Sequence, residues 1–322
     1  MKTTSGLILV VLLTVSGTTL VANTFTTNNP SGTAPISFAI DVVAVGDAGN
    51  AGTAGWYNTT ETFGAVNYNY YIGKTEITVG QFNAMEYAIT GNAAGLGSTL
   101  AAGNAPTLKA LMYANWLNAG CPTGGNGLLE GGTYDMTSWT TIAPWAEADQ
   151  WDNGDGTKNI WRNKNAKYFL PTESELIKAA FYKGGSTNAG YWQYQTGSDT
   201  APTAALASTG TNSANYNGVV GSALNVGSYP STMSPYGALD MAGNLWEMAE
   251  VRYSTSPNQY TPAWMDGYIH GDTWLRGMID YETKATTSAA DLGFRIASVI
   301  PEPATLSLLG LAASLALLRR KQ

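Results

Sequence analysis

Few side chains in this 322-residue sequence can do chemistry on their own. Cys121 is the only cysteine and His270 the only histidine, so neither a multi-histidine metal centre nor a dithiolate pair can be assembled. Tyr268, His270 and Asp272 alternate along the chain, but no G-x-S-x-G motif accompanies them, and His270 reads as a surface or packing residue. Glu173 and Glu175 have a spacing that acid-base work could use, yet their place at the start of a helix already explains them as capping residues. In DNGDGT, residues 152–157, Asp152, Asn153 and Asp155 precede Gly156 as at the start of a calcium loop. The distal bidentate Glu of an EF-hand is missing, and such clusters more often build Asx turns. The densest chemistry lies in YGALDMAGNLWEMAE, residues 236–250, which packs a turn, a Gly-Asn pair, a Trp and two well-placed acids, Asp240 and Glu247, into one short run.

These side chains must be positioned by a mixed set of elements. FAIDVVAV at 38–45 alternates as a strand, and VNYNYYIGKTEI at 66–77 reads as a hairpin pair or as one long, bent strand. Thr78 is an N-cap with Gln81 as its capping-box partner; Phe82, Met85 and Ile89 share a helical face, and Gly91 stops the helix. A second helix follows Pro106, with Leu108, Leu111, Met112 and Trp116 at helical spacing before Gly120. A third is capped by Thr172 with Glu175, turns Leu176, Ala179 and Ala180 inward, and ends at Gly184 and Gly185. Residues 121–167 carry Trp139, Trp145, Trp151 and Trp161, which serve either as a sugar-stacking platform or as filling for a core short of other large side chains.

The segments IGKTEITVGQF, LMYANWLNAG, YFLPTESELIKAA, YWQYQTGSD, VGSYP, YGALDMAGNLWE, WLRG and GFR follow one another in order. Together they resemble the formylglycine-generating enzyme (sulfatase-modifying factor) family, a variant of the C-type lectin fold, over residues 38–298. The resemblance implies an α+β, loop-rich domain with short strands and about three helices. It also implies a structural calcium held by Asp240, the carbonyls of Gly243 and Leu245, and Glu247; hard oxygen ligands around a tight Gly-Asn turn suit that ion. A second calcium would use Asn215 and the carbonyl of Tyr216, although its distant Asp partner has no counterpart in GVVGSALNVG. The family's oxidase chemistry uses copper held by two thiolates near the last strands. Between Arg276 and Arg295 this chain reads RGMIDYETKATTSAADLGFR, without cysteine, and RGMID replaces the family's RGGSW. Copper is therefore not expected. The reading is a non-catalytic binding or structural protein whose groove, with Trp151 and Trp192, takes a glycan or exported polymer; the alternative is a residual or altered oxidoreductase.

Residues 1–22 have one lysine, an apolar run and a small-residue end, the layout of a secretory signal peptide. PEP at 301–303, fifteen uncharged residues and then Arg319, Arg320 and Lys321 resemble a PEP-CTERM sorting tail. A helix of fifteen residues spans roughly 22 Å, short against a hydrocarbon core of about 30 Å. The expectation is export to the envelope or extracellular space, transient anchoring by residues 301–322, a sorting protease as partner, and one domain over 23–300. With 12% charged residues and a net charge of -7, no basic face invites nucleic acid, while cations are admitted. An exported chain with a lone cysteine must hold its core without cross-links.

Overall fold

The structure is a computed structural model that describes residues 20–54, 62–125, 127–129, 132–138, 141–207, 209–250, 263–265 and 290–299. The first 19 residues, the tail and the segment carrying His270 and RGMID lie outside them. Among the described residues no helix is long and apolar enough to cross a membrane.

Strand β1 (Leu20–Thr27) pairs antiparallel with β2 (Ile36–Val45) along its whole length. Its buried Asn23, Phe25 and Thr27 alternate with exposed Ala22, Thr24 and Thr26, the period that a half-buried strand requires. Phe25 stacks on its cross-strand partner Phe38 at 5.3 Å, and Phe38 stacks in turn on Trp116 at 5.9 Å. Aromatic contact thereby ties the sheet to a helix.

Residues 66–77 yield only the short strand β3 (Tyr70–Gly73), in place of a hairpin or a long strand. The reason is tertiary. On one side β3 pairs with β2; beyond Gly73 the chain leaves the ladder, Lys74 N–H donating to Asp41 O and Ile77 N–H to Phe294 O. Helix α1 (Val79–Thr90) has the expected capping box, Gln81 N to Thr78 Oγ1 at 3.1 Å and Thr78 N to Gln81 Oε1 at 2.8 Å, and stops at Gly91 with φ 77°. Helix α2 (Thr107–Asn118) begins after Pro106 and buries Leu108, Leu111, Met112 and Trp116. Its Asn115 is also buried. Its carboxamide donates to Leu128 O and Tyr134 O and accepts from Thr133 N and Tyr134 N, so one side chain pins the start of the Trp-rich insert.

The insert contains a hairpin of β4 (Gln150–Asp152) and β5 (Lys158–Asn163), and leads to β6 (Tyr168–Phe169) and helix α3 (Glu173–Phe181). Helix α3 has its capping box at Thr172 and Glu175 but stops at Tyr182, whose extended backbone (φ -69°, ψ 130°) ends it before Gly184. The two larger sheets are completed by β7 (Trp246–Ala249), β8 (Ala263–Met265), β9 (Leu292–Phe294) and β10 (Ala297–Ser298). The main sheet runs β1-β2-β3-β10-β6, antiparallel throughout, and a second sheet runs β8-β7-β9 with β7 and β9 parallel. Strands β9 and β10 are separated only by Arg295 and Ile296, so position 295 stands where the two sheets meet.

The Thr78→Ala variant removes the hydroxyl that caps α1 and is expected to cost about 1 kcal/mol of stability, read as a lower midpoint at unchanged slope in urea unfolding.

Candidate functional site

The run 236–250 folds as a compact turn that feeds β7. Asp240, Gly243 and Asn244 all take left-handed backbone conformations, with φ of 55°, 74° and 66°. At Gly243 a Cβ would stand 2.2 Å from Asn215 O, so glycine is the only residue that fits. Asn244 is the turn's connector: its N–H donates to Asn215 O, its amide to Glu76 Oε1 at 2.9 Å, and its Oδ1 accepts from Leu224 N–H and Asn215 Nδ2. Asp240 is buried and accepts from Gly227 N–H at 2.6 Å.

Glu247 faces Arg295, and both are fully enclosed. Arg295 Nε lies 2.8 Å from each carboxylate oxygen, Nη2 also donates to Oε1, Nη1 donates to Gly73 O at 2.9 Å, and Nη2 reaches Leu239 O and Asp240 O. One guanidinium therefore joins the end of β3, the 239–240 turn and β7. Three carboxyl groups surround it. Burial raises the pKa of Glu76 well above its ordinary value, with Asp240 and Glu247 adding repulsion, and burial also raises Asp240 and Glu247 against the opposing pull of Arg295. Glu76 Oε2 has no hydrogen-bond partner.

The two sets of expected calcium ligands adjoin each other. Asn215 and Asp240 line one small cavity of about 10 Å³ together with Gln195 and Asn244, whereas Glu247 points to Arg295. Asn215 Oδ1 and both polar atoms of the Gln195 side chain are buried without partners. Tyr216 is buried, and its hydroxyl donates to Pro202 O. Among the described residues no group of three or more His, Cys, Asp or Glu is arranged to hold a metal, so a hard cation here would rely on amide and carbonyl oxygens as well as Asp240. The donor set fits such an ion in chemistry: it is all oxygen, carboxyl groups outnumber the guanidinium, and a carboxylate on arginine keeps further lone pairs.

A second buried guanidinium organises the insert. Arg162 donates from Nη1 and Nη2 to the two oxygens of Glu175 at 3.0 and 2.8 Å, and from Nε to Glu250 Oε2 at 3.0 Å. Its centre lies 3.6 Å above the Phe169 ring. Tyr68 hydroxyl donates to Glu175 Oε1 and Asn159 amide to Glu250 Oε2. Burial alone would raise the pKa of Glu175; the Arg162 guanidinium overrides it and holds the carboxyl below its ordinary value. Sequence reading gave Glu175 only its capping role and assigned nothing to Arg162 or Arg295. An arginine amid aromatic residues and upstream of an apolar helix start was the one available signal for the first.

Trp151 corrects an expectation. It is 8% exposed, packed against Tyr68 and Phe169, and so offers no open face to a sugar. Trp161 is buried as well, and Trp139 lies outside the described residues. Trp192 is half-buried, with Lys183 Nζ 4.4 Å from its ring centre. The 152–157 run makes Asx turns: Gly154 N–H donates to Asp152 Oδ1, and Thr157 N–H to Asp155 Oδ1, each at 2.8 Å. Cys121 is buried, and burial pushes its thiol up to about 12, so it is neutral and a poor ligand or nucleophile.

Lys178 on α3 is enclosed and donates to Asp47 O at 3.0 Å; burial brings its pKa from 10.5 down to about 8. Between these values the unfolded chain binds more protons than the folded one, so stability rises with pH across that window. Urea unfolding of Lys178→Met is expected to lose the part of the rise that wild type shows from pH 8 to pH 10.

Residues 64–300 match the family described as the sulfatase-modifying factor enzyme 1-like domain, and residues 299–321 match the PEP-CTERM protein-sorting motif. Among solved structures the chain is similar to CarF, at 20% identity and a TM-score of 0.52, with 81% of this chain and 98% of that chain covered. It is also similar to Treponema denticola variable protein 1, at 16% identity and a TM-score of 0.50, covering 86% and 99% of the two chains. At such identities the likeness is one of fold. Comparison with curated proteins gives no match. The sorting motif indicates export and envelope sorting by a C-terminal sorting system. With its family domain spanning most of the sequence, and with three α-helices and short strands among the described residues, the chain belongs to the sulfatase-modifying factor (formylglycine-generating enzyme) family and has that family's C-type lectin-like α+β fold.

Proposed function

We propose that this protein is a non-catalytic member of its family, an exported binding or structural component of the cell envelope or extracellular matrix that recognises a glycan or other surface polymer. The observation that carries this reading is the absence of any cysteine between Arg276 and Arg295, where copper chemistry needs a thiolate pair. Cys121 does not substitute, being a buried neutral thiol on the loop after α2. The buried residues of the 236–250 turn are spent on scaffold bonds, which suits a platform for binding. The tail holds the chain at the membrane until a sorting protease acts. The test has two arms. With a cysteine-containing peptide and added copper, no oxygen consumption above background is expected, and steady consumption with conversion of the cysteine would contradict the proposal. On a polysaccharide array, retention by at least one neutral or acidic polymer is expected; silence on every polymer would remove the binding role.

Calcium is part of the same proposal. Asp240, the carbonyls of Gly243 and Leu245, and Glu247 would hold one ion, and Asn215 with the carbonyl of Tyr216 would serve a second. Bound calcium would offset the excess of carboxyl groups around Arg295 and stiffen the turn. Chelation by EGTA is then expected to lower the melting temperature by a few degrees through loss of a native-state ligand. Asp240→Asn should remove that response; an unchanged wild-type melting temperature on chelation would eliminate the ion.

A further inference from the structure

Outside the 236–250 turn an open groove of about 310 Å³ lies between the β4-β5 hairpin, the first turn of α3 and the chain leading into β3. That volume is at the lower end of ligand sites, which run from about 300 to 1,000 Å³.

The groove walls are tied together before any ligand arrives. Gly64 N–H donates to Ser174 Oγ at 3.2 Å across its base. The Tyr68 hydroxyl is held by Glu175 and the Asn159 amide by Glu250, so both walls are anchored to the buried Arg162 network. The Asx turns at Asp152 and Asp155 lock the hairpin tip. Walls held in this way have little ordering left to do on binding.

The lining is amphipathic in the manner that sugars demand. Among the described residues Asn67 is exposed and its carboxamide has no hydrogen-bond partner, and Asn153 donates to Thr157 Oγ1 while leaving its carbonyl oxygen open. Ile160, 38% exposed, supplies apolar surface for the C–H face of a sugar ring. Asp155 and Glu173 line the same groove against a single cation, Lys158, so negative charge is in excess and anionic ligands are disfavoured. Deepening the binding role proposed above, and resting on it, we propose that this groove binds a neutral glycan segment of mono- to disaccharide size.

Saturation-transfer NMR on the exported protein with cellobiose, maltose and chitobiose as separate probes tests the assignment. Transfer to at least one of them is expected. Ile160→Arg, which fills the groove from an exposed position, should weaken that binding at least tenfold, Asn67→Ala should weaken it several-fold, and Leu206→Ala, at an exposed position outside the groove, should leave it unchanged. Polymer binding that survives Ile160→Arg would overturn the groove while leaving the binding role standing. Transfer only to acidic sugars or to peptides would also overturn it. No binding to any glycan would overturn both.

Discussion

The fold depends on one buried guanidinium. Arg295 lies between the last strand of each sheet, and its Nε, Nη1 and Nη2 donate to Glu247, the carbonyl of Gly73 and the carbonyls of Leu239 and Asp240. Taking such a charge out of water costs several kcal/mol, and the cost is offset only when the donors are nearly all satisfied in good geometry. The geometry here leaves little slack. It requires β3 to stop at Gly73, the 239–240 backbone to turn its carbonyls inward, and β7 to present Glu247 beside β9. The left-handed conformations at Asp240 and Asn244 are local strain that this arrangement and the Asn244 bonds hold in place.

The Arg162 network repeats the same physics in the other half of the molecule. There, too, a guanidinium faces more carboxyl groups than it can neutralise, Glu175 and Glu250, and neutral donors from Tyr68 and Asn159 take up part of the excess. In each cluster one carboxyl oxygen stays without a partner, Glu76 Oε2 in the first and Glu250 Oε1 in the second. Both of those carboxyls have raised pKa values, with burial the leading cause. Buried polar clusters of this kind contribute less to net stability than to specifying one arrangement of elements, because breaking either partner is far costlier than forming the pair is favourable.

What could be read in the sequence follows the range of the interaction. The caps at Thr78 and Thr172 act over three residues, and both appear where the spacing places them. The helix stop at Gly91 is equally local. The hairpin or long strand expected over 66–77 is a strand of four residues, because its neighbours, not its own alternation, decide where the ladder ends. Arg295 with Glu247 and Arg162 with Glu250 join residues 48 and 88 positions apart, and nothing in local periodicity marks such pairs. Trp151 shows the same limit: a tryptophan beside a turn-rich run read equally as a surface platform or as core filling, and its burial is set by Tyr68, Phe169 and Arg162, which the local pattern does not place near it. Family resemblance supplied the order of segments and the acids at 240 and 247, but not that Glu247 would be bonded to arginine.

The Arg295–Glu247 pair holds the two sheets in register around the 236–250 turn. A double-mutant cycle in urea unfolding with Arg295→Met, Glu247→Leu and the combined variant measures it directly. Each single change strands a buried charge and is expected to cost about 3–5 kcal/mol, while the double variant should cost clearly less than their sum, with a coupling of about 1–3 kcal/mol. Losses that add to within about 0.5 kcal/mol would contradict the account.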